Sequence, residues 1–308
     1  MKRLLPALTL LLSLSLIMSQ DYPKKKFYKR EKNAAKIMGR DDRKFGDHSG
    51  NRVLCRFYNH GSIGDQSSSF SGVYPIGSGH SYIWEFSPVV AASVVDTNGF
   101  RRHIVSDGIS GLVDASPEGT PWSFEPLSGY ANPNQENLAM SDNENSWPNS
   151  WPNRTEDWNG EWNGQYGKYV RADQESYFVV DDRYNSEFEF WPDQNDLPED
   201  PTVSPDEHRR GLGIEMEARG YQWNHPAAED IIIVTYWITN VGSSVLDSVV
   251  FGMYGDADIG GASSFSDDDA WFDTENDMVY QWDHDNWSSS YGGFRPAYFG
   301  WSFLESPA

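Results

Sequence analysis

The stretch with the clearest chemistry lies between Asp256 and Asp285, where nine aspartates fall within thirty residues of otherwise aromatic, strand-like sequence. Carboxylates held this close together repel one another, so those that do not point into bulk water need a cation. Ligand sets made only of oxygen favour hard ions, and Ca²⁺ takes about six to eight such ligands. We therefore expect one or two calcium sites formed by Asp256, Asp258, Asp267, Asp268, Asp269, Asp273, Asp277, Asp283 and Asp285.

A standard calcium loop is not present in this stretch. Asp283, Asp285 and Asn286 resemble the opening of an EF-hand loop, but Ser288 stands at the sixth position and Phe294 at the twelfth, where glycine and glutamate are required. The alternative to a calcium site is a solvated acidic loop that holds no ion. The neighbouring aromatic residues, Trp271, Phe272, Tyr280 and Trp282, favour a segment that packs against the body of the protein.

Tryptophans mark a second candidate site, which contains Trp147, Trp151, Trp158 and Trp162 in the repeats WPNSWPN and WNGEWNG. Aromatic platforms with polar rims suit carbohydrate recognition, so these four residues are candidate ligand-binding residues for a polysaccharide. The more ordinary interpretation is that they anchor an irregular loop on a sheet, with each indole N–H donating to a carbonyl.

A further acidic group, Asp173, Glu175, Asp181 and Asp182, surrounds the strand SYFVV. Asp181 and Asp182 leave that strand together with Arg183, so a local ion pair explains these two residues as well as a metal does. The sequence has no HExxH, GxSxG, P-loop or dinucleotide motif, and its seven histidines are scattered singly. No catalytic residue is assigned on these grounds, and the sequence favours a role other than catalysis.

The first residues predict export. Met1, Lys2 and Arg3 precede the apolar run LLPALTLLLSLSLIM, which is typical of a signal peptide over residues 1–19 and is too short for a membrane anchor. The single thiol, Cys55, allows no internal disulfide, so an exported fold needs another source of rigidity. We expect a secreted protein, extracellular or on the cell surface, whose mature chain has no transmembrane segment and in which Ca²⁺ supplies that rigidity.

Charge divides the chain into two parts. Residues 21–44 carry ten basic and four acidic side chains, whereas residues 45–308 carry twelve basic and 42 acidic ones, a net charge of −30. Such a body repels nucleic acid, so we expect no nucleic-acid partner. Residues 20–48 are predicted to form a flexible basic linker, with docking to an anionic cell-envelope component as the alternative.

Short apolar runs with period-two alternation, frequent glycine and long polar connections predict a mostly β fold, an immunoglobulin-like or related antiparallel β-sandwich with long aromatic and acidic loops. Residues 212–219 alternate strictly, as a half-buried strand does. The runs IIIVTYWITN and LDSVVFGMY, joined by VGSSV, are predicted to form a hairpin. The body is predicted to span residues 49–308, either as one unit or as two sub-domains of about 49–200 and 201–308.

Several segments in this order, among them GNRVLCRFYNHGSIG, WSFEPLSGYANPNQENLAMSD, RRGLGIEMEARGYQWN, AEDIIIVTYWITNVG and VVFGMYGDADIGG, resemble an uncharacterised family of large secreted bacterial surface proteins. Members of this kind often end in a type IX secretion sorting domain, which this sequence lacks, so we expect it to be the N-terminal part of a longer protein. The resemblance implies a location and no reaction. Together with the residues, it predicts a structural, adhesive or ligand-binding role; the alternative is a carbohydrate-binding or carbohydrate-active protein.

Overall fold

A computed structural model describes residues 42–64, 70–96, 98–109, 115, 117, 122–193, 208–261 and 264–306. The predicted signal peptide and the predicted linker up to residue 41 lie outside these residues. The prediction of a mostly β chain is confirmed: the described part contains thirteen strands and four short 3₁₀ turns. The strands are β1 (Phe45–His48), β2 (Cys55–Tyr58), β3 (Glu85–Val95), β4 (Arg101–Asp107), β5 (Glu125–Pro126), β6 (Ala139–Met140), β7 (Gln174–Asp181), β8 (Ile214–Gln222), β9 (Ile233–Asn240), β10 (Asp247–Asp256), β11 (Asp268–Asp273), β12 (Met278–Asp283) and β13 (Phe299–Ser302).

Two antiparallel layers form the body. In the first layer β3 lies between β10 and β4, and the antiparallel pair β1–β2 joins this layer through Ile63, which bridges Phe57 and Phe86. The second layer has the order β5–β7–β8–β9, with the short strand β6 also paired to β7. All of the strand pairs within the layers are antiparallel, as expected for a sandwich built from amphipathic strands.

One hydrophobic core lies between the layers. Val90 and Ile104 of the first layer and Val180, Ile214 and Met216 of the second are each at most 1% exposed and belong to a single cluster. Their alternation along each strand is the period-two pattern that places one face of a strand inward. The two sheets therefore pack in a β-sandwich-like arrangement.

The predicted hairpin is wrong. β9 pairs with β8 and β10 pairs with β3, so residues 241–246 carry the chain from one layer to the other. The rings of Tyr236 and Phe251, one from each of these strands, meet with centroids 5.2 Å apart. A hairpin and a crossing of this kind both join two strands that each bury one face, so the alternation alone does not distinguish them.

Both layers draw strands from the two predicted sub-domains, since β3 pairs with β10 and β7 pairs with β8 across residue 200. The start of the body also differs from the prediction. β1 lies at residues 45–48, within the predicted linker, and Arg43 donates to the carboxylate of Glu125 at 2.8–2.9 Å. The ordered body of the protein therefore begins before residue 49.

A third sheet of three strands, β11–β12–β13, is formed by the acidic C-terminal region. One of its faces is attached to the sandwich, because Phe299 and Trp301 of β13 lie edge-on to Phe86, with centroids 5.2 and 4.7 Å away. The other face is described below. This sheet positions most of the aspartates that the sequence analysis selected.

Candidate metal centre

The structure brings together some of the nine aspartates and separates others. Asp267, Asp283 and Asp285 place one carboxylate oxygen each within 4.8 Å of one another. Asp283, the last residue of β12, is 2% exposed, whereas the other two are exposed. Three carboxylates at this separation supply part of the oxygen set that Ca²⁺ requires, and exposed positions leave room for water ligands.

Asp283 is held in place from two sides. Its Oδ2 accepts a hydrogen bond from the Ser264 hydroxyl at 2.8 Å, and its Oδ1 accepts one from the Trp287 backbone N–H at 2.7 Å. These two hydrogen bonds fix the orientation of the Asp283 carboxylate beside the other acidic groups. Of the three carboxylates, one is therefore buried and hydrogen-bonded and the other two are exposed.

Asp268 lies beside this trio, directly opposite Asp283 in the β11–β12 ladder. Its Oδ2 accepts the Ile259 backbone N–H at 2.8 Å, while its buried Oδ1 has no hydrogen-bond partner among the described residues. Burial, together with the charges of Asp283, Asp258 and Asp267, raises the pKa of Asp268 from 3.8 to about 7. This carboxyl group lies among other negative charges, and a bound cation would compensate them.

The loop that follows β10 brings a further carboxylate, that of Asp258, to this region. Gly260 and Gly261 have φ values of +84° and +87°, so the chain turns back here as the glycine pair predicts. The Gly260 carbonyl accepts the Ser288 hydroxyl at 2.7 Å, which ties this loop to the segment after β12. Burial and then the charge of Asp256 raise the pKa of Asp258, so this carboxyl also lies in an electronegative environment.

The remaining predicted ligands belong elsewhere. Asp269 pairs with His284, whose Nδ1 lies 2.6 Å from Asp269 Oδ2, and Asp256 lies at the end of β10 with the Tyr254 hydroxyl 3.4 Å away. Asp273 and Asp277 occupy the far turn of the β11–β12 hairpin, five strand positions or about 17 Å from Asp268. The described geometry therefore brings three of the nine predicted ligands together and leaves the other six outside this trio.

Two of the four candidate tryptophans are core residues. Trp151 and Trp162 are each 2% exposed and pack with Tyr177 and Val179 on the outer face of β7. Their indole N–H groups donate to the Glu161 carbonyl at 2.9 Å and to Glu175 Oε2 at 2.8 Å. Buried rings cannot stack on a sugar, so the predicted ligand-binding role of Trp151 and Trp162 is wrong and the loop-anchoring interpretation applies.

Trp147 and Trp158 are partly buried at the border of the same cluster. The Trp147 indole donates to the Met140 carbonyl at 2.7 Å, and the Arg154 guanidinium lies 4.2 Å from the Trp158 ring centroid. Lys168 lies over the same ring at 5.5 Å. The two cations lie over the Trp158 ring, and the Trp147 ring packs against that of Trp162 with centroids 5.4 Å apart, so the four tryptophans do not form the predicted platform.

In the second acidic group, Asp181 and Asp182 are buried and bonded to protein donors. Arg209, 7% exposed, donates to Asp181 at 2.6 Å, so the ion pair involves Arg209 and not the predicted Arg183. Asp182 is fully buried and accepts the Ser106 hydroxyl and the backbone N–H groups of Leu212 and Ile214. Burial, partly offset by Arg209, raises the pKa of Asp182 to about 6. These carboxylates are satisfied by protein donors and join the two layers.

Comparison of the chain with protein-family models, with curated proteins and with solved structures finds no match. Among the described residues, no helix has the length and apolarity needed to cross a lipid bilayer. Function must therefore be inferred from the geometry of this chain alone.

Proposed function

We propose that this chain is an extracellular β-sandwich module whose C-terminal sheet is stabilised by Ca²⁺ bound at Asp267, Asp283 and Asp285. The observation that carries the proposal is the convergence of three carboxylate oxygens within 4.8 Å beside Asp268, whose buried Oδ1 has no partner among the described residues. A divalent cation would offset the repulsion between these groups. Asp258 and Asp268 would contribute charge, and water would complete the coordination.

An extracellular location agrees with the composition. The sequence begins with a basic and apolar run typical of export, and the free Cys55 is buried, with burial raising the pKa of its thiol to about 12. Calcium sites in extracellular modules have dissociation constants of about 10⁻⁴–10⁻³ M, the range that we expect for this site. The role that follows is structural, adhesive or ligand-binding at a cell surface.

Calcium titration of the purified chain tests the proposal. At about 10 mM Ca²⁺ a site in this affinity range stabilises the fold by about 1.4–2.7 kcal/mol, because the ion binds the folded state only. For a body of this size that corresponds to a rise in Tm of about 3–10 °C relative to EDTA. Mg²⁺ at the same concentration should produce a smaller rise, because it requires near-octahedral geometry and gives up its water reluctantly.

Matched variants locate the ion. Asp283→Asn and Asp285→Asn should each abolish most of the calcium-dependent rise in Tm, whereas Asp277→Asn should keep all of it. Asp277 is an exposed residue of the distant turn with φ of +47°, a conformation that asparagine tolerates well, so this control removes the same charge without strain. A Tm that is identical in Ca²⁺ and EDTA, or an equal loss in all three variants, would refute the proposed site.

A further inference from the structure

The C-terminal sheet, β11–β12–β13, is much less buried than the sandwich. Asp283 is the only buried residue in these three strands, whereas all eight residues of β7 are buried. Parts of a protein with little buried surface open at a lower free energy than its core does. The C-terminal sheet is therefore expected to open before the sandwich unfolds.

The two faces of this sheet have different surroundings. The aromatic face, which is turned away from the sandwich, carries Trp271, Tyr280 and Trp282. The docking face carries Phe299 and Trp301, which contact the sandwich as described above. Gly300 lies between these two residues and opposite Tyr280, which places the two sets of rings on opposite faces. Trp271 is 64% exposed, and the attachment of the sheet depends on the docking face.

Apolar packing attaches the docking face to the sandwich. Phe86 is 4% exposed and contacts the rings of Phe299 and Trp301, which pack against the main hydrophobic core. A Cβ placed on Gly255 of β10 would lie 3.0 Å from Trp301 Cζ2, so the indole packs directly on the β10 backbone. Opening of the sheet would expose these rings to water, which costs free energy.

The segment between β12 and β13 also contacts the sandwich. The His80 and Phe294 rings stack with centroids 3.6 Å apart. The Ala297 N–H donates to the Tyr82 hydroxyl at 3.0 Å. Both contacts follow Asp285 in the chain, so this segment links one of the proposed calcium ligands to the sandwich.

The acidic trio consists of the proposed calcium ligands Asp267, Asp283 and Asp285. It lies at the junction between the docking face and the sandwich. Gln281 stands opposite Phe299, and Asp283 is two residues from Gln281, so the Asp283 side chain also lies on the docking face. Its carboxylate accepts the Ser264 hydroxyl, which belongs to the loop that leaves the sandwich after β10.

Negative charges face one another across this junction. Asp268, opposite Asp283 on the sheet, accepts the N–H of Ile259, which is fully buried in the core. Asp258 lies on the sandwich side, where its N–H donates to the Tyr82 carbonyl, and its negative charge is close enough to act on Asp268. Without a cation, repulsion between these carboxylates opposes docking, and a cation bound at the acidic trio would offset it.

We propose that Ca²⁺ bound at the acidic trio keeps the C-terminal sheet docked, and that without Ca²⁺ the sheet opens as a unit while the sandwich stays folded. The proposal rests on the metal site proposed above and adds a regulatory consequence to it. Opening uncovers Phe86, Phe299 and Trp301, an apolar surface that the docked form covers. The calcium concentration would thus set how much of this surface is accessible.

Hydrogen exchange of the whole chain, followed by mass spectrometry in EDTA and in about 10 mM Ca²⁺, tests the proposal. In EDTA, the amides of residues 268–302 should exchange at least about tenfold faster than those of β7 and β8. A site with a dissociation constant of about 10⁻⁴–10⁻³ M should slow the exchange of the sheet by about 10–100-fold in Ca²⁺. The factor should be the same in β11, β12 and β13, because one opening event exposes all three.

Two pairs of variants, compared in Ca²⁺, separate the apolar contact from the metal. Trp301→Ala should speed exchange of the sheet by about tenfold or more, because it removes a ring from the docking face, whereas Trp271→Ala on the aromatic face should leave it unchanged. Asp285→Asn should remove most of the calcium response, whereas Asp277→Asn in the distant turn should keep it. Unchanged exchange of β7 and β8 in Trp301→Ala shows that the sandwich is still folded.

The outcomes distinguish the two proposals. A Tm that rises with Ca²⁺ while the sheet and the sandwich slow by the same factor would leave the metal site standing and overturn the separate opening of the sheet. A sheet that opens first in EDTA but ignores Ca²⁺ would overturn calcium control. If Ca²⁺ changes neither Tm nor exchange, the metal site itself is refuted. Equal exchange of the sheet in Trp301→Ala and Trp271→Ala would overturn the assigned docking face.

Discussion

Substitution of Asp268 by asparagine should stabilise the calcium-free protein and reduce the stabilisation that Ca²⁺ provides. In the calcium-free protein, burial and the charges of Asp283, Asp258 and Asp267 raise the pKa of Asp268 from 3.8 to about 7. The folded state therefore binds this proton more tightly than the unfolded state does. Stability contributed by the protonated carboxyl is complete below about pH 4 and is lost as pH rises towards 7.

The expected change in the free energy of unfolding follows from the size of the change in the pKa of Asp268. A rise of about three pKa units corresponds to about 4 kcal/mol, since each unit is worth about 1.4 kcal/mol. Asp268 is only half-buried and solvent screens its charge, so about half of that value, roughly 2 kcal/mol, is a reasonable expectation. Asparagine resembles the protonated carboxyl in size and cannot ionise. Without Ca²⁺, Asp268→Asn should thus raise Tm at pH 8 by about 4–8 °C and leave it unchanged near pH 4.

Calcium should reduce the difference in stability between the variant and the wild type. A bound cation favours the ionised carboxylate, so the wild type should bind Ca²⁺ more tightly than Asp268→Asn, and the variant should gain less stability from 10 mM Ca²⁺. Scanning calorimetry at pH 4 and pH 8, with EDTA and with Ca²⁺, gives the four comparisons, and Asp277→Asn is the control. An Asp268→Asn protein that is less stable than the wild type in EDTA at pH 8 would refute the electrostatic argument.

Two further substitutions test the body of the protein. Trp162→Ala should lower the free energy of unfolding in urea by about 3–5 kcal/mol, because it removes a buried ring and the donor to Glu175. Lowering the pH from 6.5 towards 3 should destabilise the fold, because burial lowers the pKa of His48 to about 3 and holds that of His60 well below its usual 6.5, so only the unfolded state takes up these protons. His48→Gln should reduce that loss in urea titrations, whereas a pH profile identical to that of the wild type would contradict the assignment of His48.

Alternation in the sequence is a reliable guide where one face of a strand is buried. β8 was predicted from the alternating residues 212–219 and is observed as Ile214–Gln222, with Ile214, Met216 and Ala218 buried as the pattern requires. β7 is buried on both faces, because the core covers one face and the tryptophan loop covers the other. Its unbroken apolar centre, YFVV, is the corresponding signal in the sequence.

Pairing and register could not be predicted in the same way. The connection between β9 and β10 joins two layers, and only contacts distant in sequence, such as β10 with β3, decide between that and a hairpin. The tryptophan loop allowed two interpretations, sugar binding and loop anchoring, because the burial of a ring depends on which residues pack against it. The sequence composition does not show which residues these are. The aspartates separated into a trio, an ion pair and a turn because the β11–β12 register sets which carboxylates converge.

The acidic trio and the aromatic face are linked through the backbone of β12. Trp282 and Asp283 are consecutive residues, so their side chains point to opposite faces of one strand. Asp283 and Asp268 form the last pair of the β11–β12 ladder, and like charges directly opposite each other destabilise a cross-strand pair. Without a cation the ladder is weakest at this end, and the next pair inward is Asp269 with Trp282. We therefore expect neutralisation of the acidic end to strengthen the neighbouring pair of Asp269 and Trp282, although the carboxylate of Asp283 lies on the face opposite Trp282.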